Sequence, residues 1–247
     1  MNDSYWEKAK AVTRAVKLSE IAVTRFDCPL CSGPLLIRLR KSEHGIRCIR
    51  CGGGPAHLAI ASVVRQHVPD LALKDVYELS SRGPVFRFLS GSAKTVTCSE
   101  YFDQVSPGNW ENGIQCQNVE DLTYDSESFD LCTSSDVFEH VANDSAGFAE
   151  LCRVLRPGGR AIFTVPLTSA PDTVERAAYR EGKLVHLKPP DYHGDRLRGP
   201  NSVLSFRDYG TDILERLEIA GFRSAEISNE FADAFMEFGR RVIVAEK

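Results

Sequence analysis

Residues 128–141 read SFDLCTSSDVFEHV and residues 150–166 read ELCRVLRPGGRAIFTVP, and the order of these two stretches decides the fold. Each stretch contains a short apolar run of strand length, and the residues near 145–155 have the apolar spacing of a helix. Pro157 and the two glycines after it form a turn into the second apolar run. The pattern therefore predicts strand, helix and strand, which is the repeating unit of a helix-covered parallel sheet.

The same alternation extends on both sides of these stretches, from residue 74 to the C-terminus. Such alternation predicts an α/β fold with a doubly wound, mostly parallel sheet. Sheets of this kind bind ligands at the carboxyl ends of their strands, where the strand order reverses. We predict helices near 85–89, 145–155 and 209–220, and strands near 76–80, 95–99, 114–117, 129–133, 160–165, 224–228 and 241–245.

The two quoted stretches resemble the class I S-adenosylmethionine-dependent methyltransferases of type 11, and residues 209–222 resemble them more loosely. The resemblance is strong over residues 74–166. It implies a Rossmann-like sheet of seven strands with the last strand antiparallel, and an enzyme that binds S-adenosylmethionine beyond the first strand. The glycine-rich loop of the family departs from its usual form here, because it reads Glu78-x-Ser80-x-x-Gly83.

The resemblance also assigns residues to the methyl donor. The donor carries an ammonium and a sulfonium group, which favour carboxylates, and an adenine, which needs an apolar slot with a polar edge. An exposed surface acid is the alternative interpretation of Glu100. By position, the methionine portion would be surrounded by Glu78, Ser80 and Gly83, the ribose held by Glu100, the adenine contacted by Tyr101, Asn118 and Val119, and the end of the fourth strand lined by Ser134.

Four cysteines near the N-terminus form two C-x-x-C pairs, Cys28 with Cys31 and Cys48 with Cys51, and sixteen residues separate the pairs. This spacing is typical of a zinc ribbon, in which a hairpin brings the two pairs to one ion. Four thiolates fill the coordination shell, so the zinc would be structural. A redox dithiol is the alternative, and His44 is a candidate substitute ligand.

These patterns divide the chain into four parts. A small ribbon has almost no hydrophobic core of its own, so bound metal would stabilise it. Residues 167–208 form a long polar insertion in the last part, placed where a substrate lid belongs. The predicted parts are an N-terminal helix at 1–25, the zinc ribbon at 26–55, a linker helix at 56–73 and the methyltransferase domain at 74–247.

Candidate catalytic residues follow the fourth strand and lie in the insertion. Asp136, Glu139 and His140 have i, i+3 and i+4 spacing in a loop or helix start, which places them on one face. Two interpretations stay open: a structural element, or a magnesium site like the E-x-x-E-H of ubiquinone-pathway O-methyltransferases and small-RNA 2′-O-methyltransferases. In the insertion, His193 is the candidate general base, with Tyr192 beside it, and a solvated loop with one packed histidine is the alternative.

Three arginines, Arg176, Arg196 and Arg207, are candidates to bind an anionic group of the methyl acceptor. The acceptor itself is predicted to be a small molecule or a glycan, methylated at oxygen. A second hypothesis is RNA, because residues 1–55 carry an excess of five positive charges in a chain of net charge −4. A third is a donor-binding regulatory subunit without turnover.

Composition excludes some classes of protein. The chain has 247 residues, of which 43% are hydrophobic and 26% charged, as in globular proteins and unlike disordered or fibrous ones. Apolar runs stay far below the roughly 20 residues of a membrane helix. Residues 1–25 are too charged for a signal peptide. We therefore expect a cytoplasmic protein with no membrane partner, and the sequence leaves the oligomeric state open.

Overall fold

The N-terminal part of the protein is a small antiparallel sheet, seen in a computed structural model that describes residues 18–195, 197–228 and 240–247. After a 3-10 turn at Leu18–Glu20, the strands β1 (Ala22–Arg25), β2 (Leu35–Arg38) and β3 (Ile46–Cys48) lie in the order β1-β2-β3. The predicted N-terminal helix at 1–25 is wrong at residues 22–25, because these residues pair with β2. Its part before residue 18 lies outside the described residues.

This small sheet, which we call the ribbon, shares its hydrophobic core with the rest of the protein. Leu36 and Ile46 of the ribbon are fully buried in one cluster with residues of α1 (Pro55–His67), the helix that directly follows it. Pro55 begins that helix, where a proline loses no hydrogen bond. The segment predicted as a linker helix at 56–73 thus contains α1 and a 3-10 turn at Leu71–Leu73.

The central sheet has eight strands within the described residues, which are β4 (Asp75–Glu78), β5 (Thr95–Glu100), β6 (Trp110–Glu111), β7 (Ile114–Cys116), β8 (Phe129–Ser135), β9 (Leu155–Thr164), β16 (Ser224–Ser228) and β17 (Val242–Glu246). Their order across the sheet is β16-β17-β9-β8-β4-β5-β7-β6. Neighbours from β9 to β7 run parallel, and β17 runs antiparallel to both of its neighbours. This confirms the predicted doubly wound sheet with an antiparallel last strand.

The two-residue edge strand β6 was not predicted. It pairs with β7 through a tight hairpin whose two turn residues, Asn112 and Gly113, have positive φ angles of 52° and 77°. Asn-Gly is the preferred sequence of such a turn, because both of its central residues need positive φ. The turn was therefore visible in the sequence, and only the two-residue length hid the strand.

Helices cover both faces of the sheet, because consecutive strand residues are buried in different clusters. Val76 packs in the cluster that contains α1 and α2 (Pro84–Ser90), whereas Tyr77 packs in the cluster that contains α3 (Asp144–Val154) and α4 (Ile213–Ile219). Alternation between two buried faces is the mark of a central parallel strand. The helix predicted at 209–220 begins only at residue 213, because Tyr209 instead forms a bridge with Leu167.

The insertion predicted at 167–208 is folded into short antiparallel pairs, and we call it the lid. In these pairs, β10 (Val174–Glu175) lies beside β15 (Arg207–Asp208), β11 (Ala177–Arg180) beside β12 (Lys183–His186), and β13 (Tyr192–Asp195) beside β14 (Gly199–Leu204). Backbone bonds tie the lid to the segment after β8, because Phe206 donates to the carbonyl oxygen of Glu139 at 2.7 Å.

Candidate functional site

A cavity of about 870 Å³ lies at the carboxyl ends of the parallel strands and extends under the lid. Its size is that of a small-molecule site. The place is the one predicted for a doubly wound sheet, where the strand order reverses between β4 and β8. Its walls include Glu78, Ser80, Gly83, Glu100, Tyr101, Asn118, Val119 and Asp136 from the strand ends, and Tyr179, Leu184, Tyr192, Leu204 and Phe206 from the lid.

Glu78 ends β4 and is a buried carboxyl group on the wall of this cavity. The hydroxyl of Thr133, on the adjacent strand β8, donates a hydrogen bond to it. Burial raises the pKa of Glu78 to about 8; the Thr133 bond opposes the shift and the nearby charge of Glu100 adds to it. A cation in the cavity would favour the ionised form of this group.

Glu100 ends β5 and closes the loop that follows β4. One of its carboxylate oxygens accepts hydrogen bonds from the Ser81 backbone N–H at 2.8 Å and the Ser81 hydroxyl at 2.7 Å, with the Ser80 hydroxyl at 3.4 Å. Gly83 then adopts a φ of 108°, which side chains rarely adopt, just before α2 begins. A carboxylate and two serines therefore shape this loop, and Ser81 is a residue that the sequence analysis missed.

Tyr101 lies at the entrance of the cavity, where the lid meets the strand ends. It is 48% exposed, and the guanidinium group of Arg198 lies 5.6 Å from the centre of its ring. Arg198 also donates to the Tyr101 carbonyl oxygen at 2.7 Å and pairs with Asp103 at 3.3 Å. Arg198 thus joins the β13–β14 hairpin to the end of β5, a contact that sequence analysis did not foresee.

Asn118 and Val119 follow β7 and line the cavity, as predicted, but Ser134 does not. Ser134 is buried at the next-to-last position of β8, while Ser135 lines the cavity. The cavity lies beyond the carboxyl ends of the strands, and Ser135 is the last residue of β8, one position nearer to it than Ser134. The predicted lining residue is therefore corrected from Ser134 to Ser135.

Asp136 does not share a helical face with its predicted partners Glu139 and His140, although its charge raises the pKa of Glu139. The segment is a 3-10 turn at Phe138–His140, not a helix, and Asp136 lies before it with a φ of 53°. A carboxylate oxygen of Asp136 accepts a hydrogen bond from Arg240 at 3.1 Å, and Arg240 also pairs with Glu43 of the ribbon at 2.7 Å. A helix start at these residues is therefore wrong, and Asp136 lies outside the cluster that Glu139 and His140 form.

Glu139, His140 and His193 form a cluster in place of that face. A Glu139 carboxylate oxygen lies 3.7 Å from His140 Nε2 and 3.9 Å from His193 Nδ1, and the two imidazole rings are perpendicular at 4.8 Å. Burial, with the charge of Asp136, raises the pKa of Glu139, and burial lowers the pKa of His140. Of the three, His140 lines the cavity directly.

The arginines predicted to bind an anionic acceptor are engaged inside the protein. Arg207 is buried, donates to the Val141 carbonyl oxygen at 2.6 Å and pairs with Glu175 at 3.2 Å. Arg176 pairs with Asp208 at 2.7 Å. The prediction is thus wrong for both, and Arg196 lies outside the described residues.

The four cysteines of the ribbon lie together, within 4.8 Å of one another. The sulfur atoms of Cys28 and Cys51 are 3.7 Å apart, as are those of Cys31 and Cys48. A disulfide would need about 2.05 Å, whereas thiolates around one tetrahedral zinc ion lie roughly 3.8 Å apart. The donor set therefore fits zinc, and His44 is not part of this cluster.

The known proteins that this chain resembles in sequence are methyltransferases. Residues 51–163 match the methyltransferase domain family. A ubiquinone biosynthesis O-methyltransferase from Coxiella burnetii is 26% identical over 121 residues, which are 47% of this chain and 49% of that protein. The chain thus spans about half the length of the curated relatives it matches.

Solved structures resemble the fold of this chain at low sequence identity. An S-adenosylmethionine-dependent methyltransferase from Thermotoga maritima, described as a possible histamine N-methyltransferase, has a TM-score of 0.50 and 15% identity, covering 78% of this chain and 90% of that one. A second, from Mesorhizobium loti, has a TM-score of 0.49 and 18% identity, covering 76% and 98%. The first of these likenesses supports the Rossmann-like fold.

Proposed function

Because this chain carries an S-adenosylmethionine-dependent methyltransferase domain over residues 51–163, we propose that it methylates an oxygen atom of a small molecule bound under the lid. One observation carries the proposal: a single cavity is lined both by Glu78 and Glu100 at the ends of adjacent strands and by His140. The first two suit a cationic nucleoside, and the third suits a hydroxyl group that must lose a proton.

In this proposal the donor lies at the ends of β4, β5 and β7. One oxygen of Glu100 holds the loop after β4, which leaves its second oxygen to accept from the ribose hydroxyls. Ionised Glu78 faces the positive charges of the donor, with Ser80 and Gly83 in the same loop. The adenine lies against Tyr101, Asn118 and Val119. The methyl group is then directed towards the lid.

The acceptor lies between the strand ends and the lid, where apolar and aromatic side chains dominate. Tyr179 and Phe206 pack with ring centres 6.0 Å apart, and Leu184 and Leu204 line the same space. With Arg176 and Arg207 engaged in internal pairs, these walls favour a neutral aromatic acceptor over an anionic one. The name of the Coxiella burnetii relative also favours O-methylation of a small molecule.

The cluster of Glu139, His140 and His193 takes the hydroxyl end of the acceptor. Methyl transfer is a displacement in line with the sulfur, so most of the acceleration comes from alignment. A hydroxyl acceptor must also lose its proton, and neutral imidazole is suited to receive it. Asp136 is left out of this role, because its carboxylate pairs with Arg240.

We also infer that the four cysteines hold a structural zinc ion. The knuckles have matching turns, since Ser32 N–H donates to the Cys28 carbonyl oxygen and Gly52 N–H to that of Cys48. The ribbon joins the donor site through Arg87 of α2, which donates to the Cys51 carbonyl oxygen at 2.8 Å. The zinc therefore supports the helix that follows the donor loop.

RNA is not proposed as the acceptor. Its support was the positive charge of the N-terminal part, but the guanidinium groups of Arg47 and Arg50 donate to backbone carbonyl oxygens of the ribbon itself. These hydrogen bonds use the guanidinium groups inside the ribbon, whereas phosphate binding needs basic side chains that extend into solvent. Loss of the protein from an RNA column at low salt would agree with this; salt-sensitive retention would contradict it.

The test has two stages. Calorimetry with S-adenosylhomocysteine should show binding by the wild type and weakening by at least tenfold in Glu100→Ala. The wild type is then incubated with S-adenosylmethionine labelled in its methyl group and a set of phenols, alcohols and amines. Label transferred to a phenol or alcohol supports the proposal. Label transferred only to an amine would contradict methylation at oxygen, and donor binding without transfer to any compound would favour a regulatory donor-binding protein. Absence of binding would refute the donor site.

A further inference from the structure

The side chain of Glu139 presents an unusual situation, because it is 0% exposed and neither carboxylate oxygen has a hydrogen-bond partner among the described residues. An ionised carboxylate is stable in the interior only if a cation or several donors compensate it. The charges of Asp136 and Arg240 act on its pKa in opposite directions, and the ring nitrogens beside it belong to two histidines, one from the same turn and one from the lid. The side chains beside this carboxylate therefore provide nitrogen atoms that can bind a metal ion, and its ion-pair contacts among the described residues are both to histidines.

The distances within the cluster are those of ligands, not of hydrogen bonds. Glu139 lies 3.7 Å from His140 Nε2 and 3.9 Å from His193 Nδ1, beyond the 2.7–3.2 Å of an N–H···O bond. Two atoms that each bind one ion at about 2.0–2.2 Å lie roughly 3–4 Å apart. A metal ion between the three side chains would satisfy both the spacing and the buried charge.

Neighbouring groups also orient the two rings. His140 Nδ1 lies 2.9 Å from the Leu204 carbonyl oxygen, which can only accept, so Nδ1 carries the proton and the lone pair of Nε2 points to Glu139. His193 Nε2 lies 3.8 Å from a carboxylate oxygen of Asp191, which leaves Nδ1 for the cluster. A histidine ligand is commonly held by such an outer carbonyl or carboxylate.

We propose that Glu139, His140 and His193 bind a divalent transition-metal ion that keeps coordination positions open towards the cavity. Two imidazoles and one carboxylate suit zinc, manganese, iron or cobalt, whereas magnesium prefers oxygen ligands alone. The site differs from the magnesium site considered from the sequence in one ligand: the carboxylate of Asp136 pairs with Arg240, and His193 of the lid takes its place. The metal ion therefore joins the lid to the turn after β8.

The role of this ion rests on the proposed function. When this ion is bound, the ring nitrogens of His140 and His193 are ligands and no longer receive the proton of the acceptor hydroxyl. The ion would instead lower the pKa of a hydroxyl bound to it, so that the proton would pass to water and the oxygen would become the nucleophile. That oxygen forms a bond to the methyl carbon as the bond from carbon to sulfur breaks, and the electron pair goes to sulfur. The products are the methyl ether, neutral S-adenosylhomocysteine and one proton.

Manganese is the probe for the test, because it prefers nitrogen and oxygen ligands and leaves the cysteine site to zinc. Electron paramagnetic resonance on the 247-residue chain follows free Mn²⁺ during titration, in the absence of donor and acceptor. We expect one bound ion per chain, and affinity at least about tenfold weaker in Glu139→Gln and His193→Ala. His186→Ala is the matched control, since His186 is an exposed lid histidine outside the cluster.

A second variant guards against loss of folding. Asp191→Asn leaves all three ligands in place and removes only the charge beside His193, so affinity should fall about tenfold while the melting temperature stays unchanged. Absence of Mn²⁺ binding by the wild type, or equal binding by wild type, His193→Ala and His186→Ala, would overturn the proposal. Because binding of S-adenosylhomocysteine is measured separately, failure of the metal site is distinguishable from failure of the donor site.

Discussion

The affinity of the protein for S-adenosylmethionine should rise with pH through the ionisation of Glu78. Burial raises the pKa of Glu78 to about 8 from the ordinary 4.5, so only about one tenth of the protein has this group ionised at pH 7. If the cationic donor requires the ionised form, its apparent dissociation constant at pH 7 is roughly tenfold above the limit reached at high pH. Each pH unit below 8 then weakens binding by about tenfold, or about 1.4 kcal/mol.

Calorimetric titration of the donor into wild type and Glu78→Gln, at pH 6, 7, 8 and 9, measures this effect. The donor's own amino group also titrates in this range, so the quantity to plot is the ratio of the two dissociation constants, from which that contribution cancels. Glu218→Gln is the control, because Glu218 is an exposed acid on α4 that does not line the cavity.

We expect the affinity advantage of wild type over Glu78→Gln to grow about tenfold per pH unit between 6 and 8 and then to level off. The Glu218→Gln protein should behave as wild type at every pH. A ratio that is constant from pH 6 to 9 would refute the reasoning, because it would mean that the ionisation of Glu78 does not contribute to donor binding.

Further predictions follow from the same contacts. Without donor, the free energy of unfolding should fall as pH rises from about 4.5 towards 8, because folding raises the pKa of Glu78 and the folded state holds its proton longer; denaturant titration should show a flatter dependence in Glu78→Gln. Arg198→Ala, which breaks the bond to Tyr101, should speed dissociation of S-adenosylhomocysteine by roughly tenfold, with stability within about 1 kcal/mol of wild type; stopped-flow competition measures the rate. Cys28→Ser should release zinc and lower the melting temperature, as elemental analysis and calorimetry would show, whereas His44→Ala should do neither.

The sequence by itself was sufficient for the elements and for most of their order. Alternating apolar runs predicted the strands around Val76, Leu131 and Ile162 because burial on both faces leaves a short, continuous apolar signal. The spacing of the cysteine pairs predicted the ribbon, because each pair needs only a local turn. The donor side of the cavity followed in the same way, since Glu78 and Glu100 each end a strand of the sheet.

Only the tertiary structure decided the acceptor side. Asp136 is near Glu139 in sequence, yet its carboxylate pairs with Arg240, while His193 reaches Glu139 from the lid. Arg207 looked available for an anion and is buried in an internal pair. The physical reason is that hydrophobic periodicity in a sequence shows which face of a single helix or strand is buried. The residues of a site come from several segments, and the contacts between these segments depend on the path that the lid takes in three dimensions.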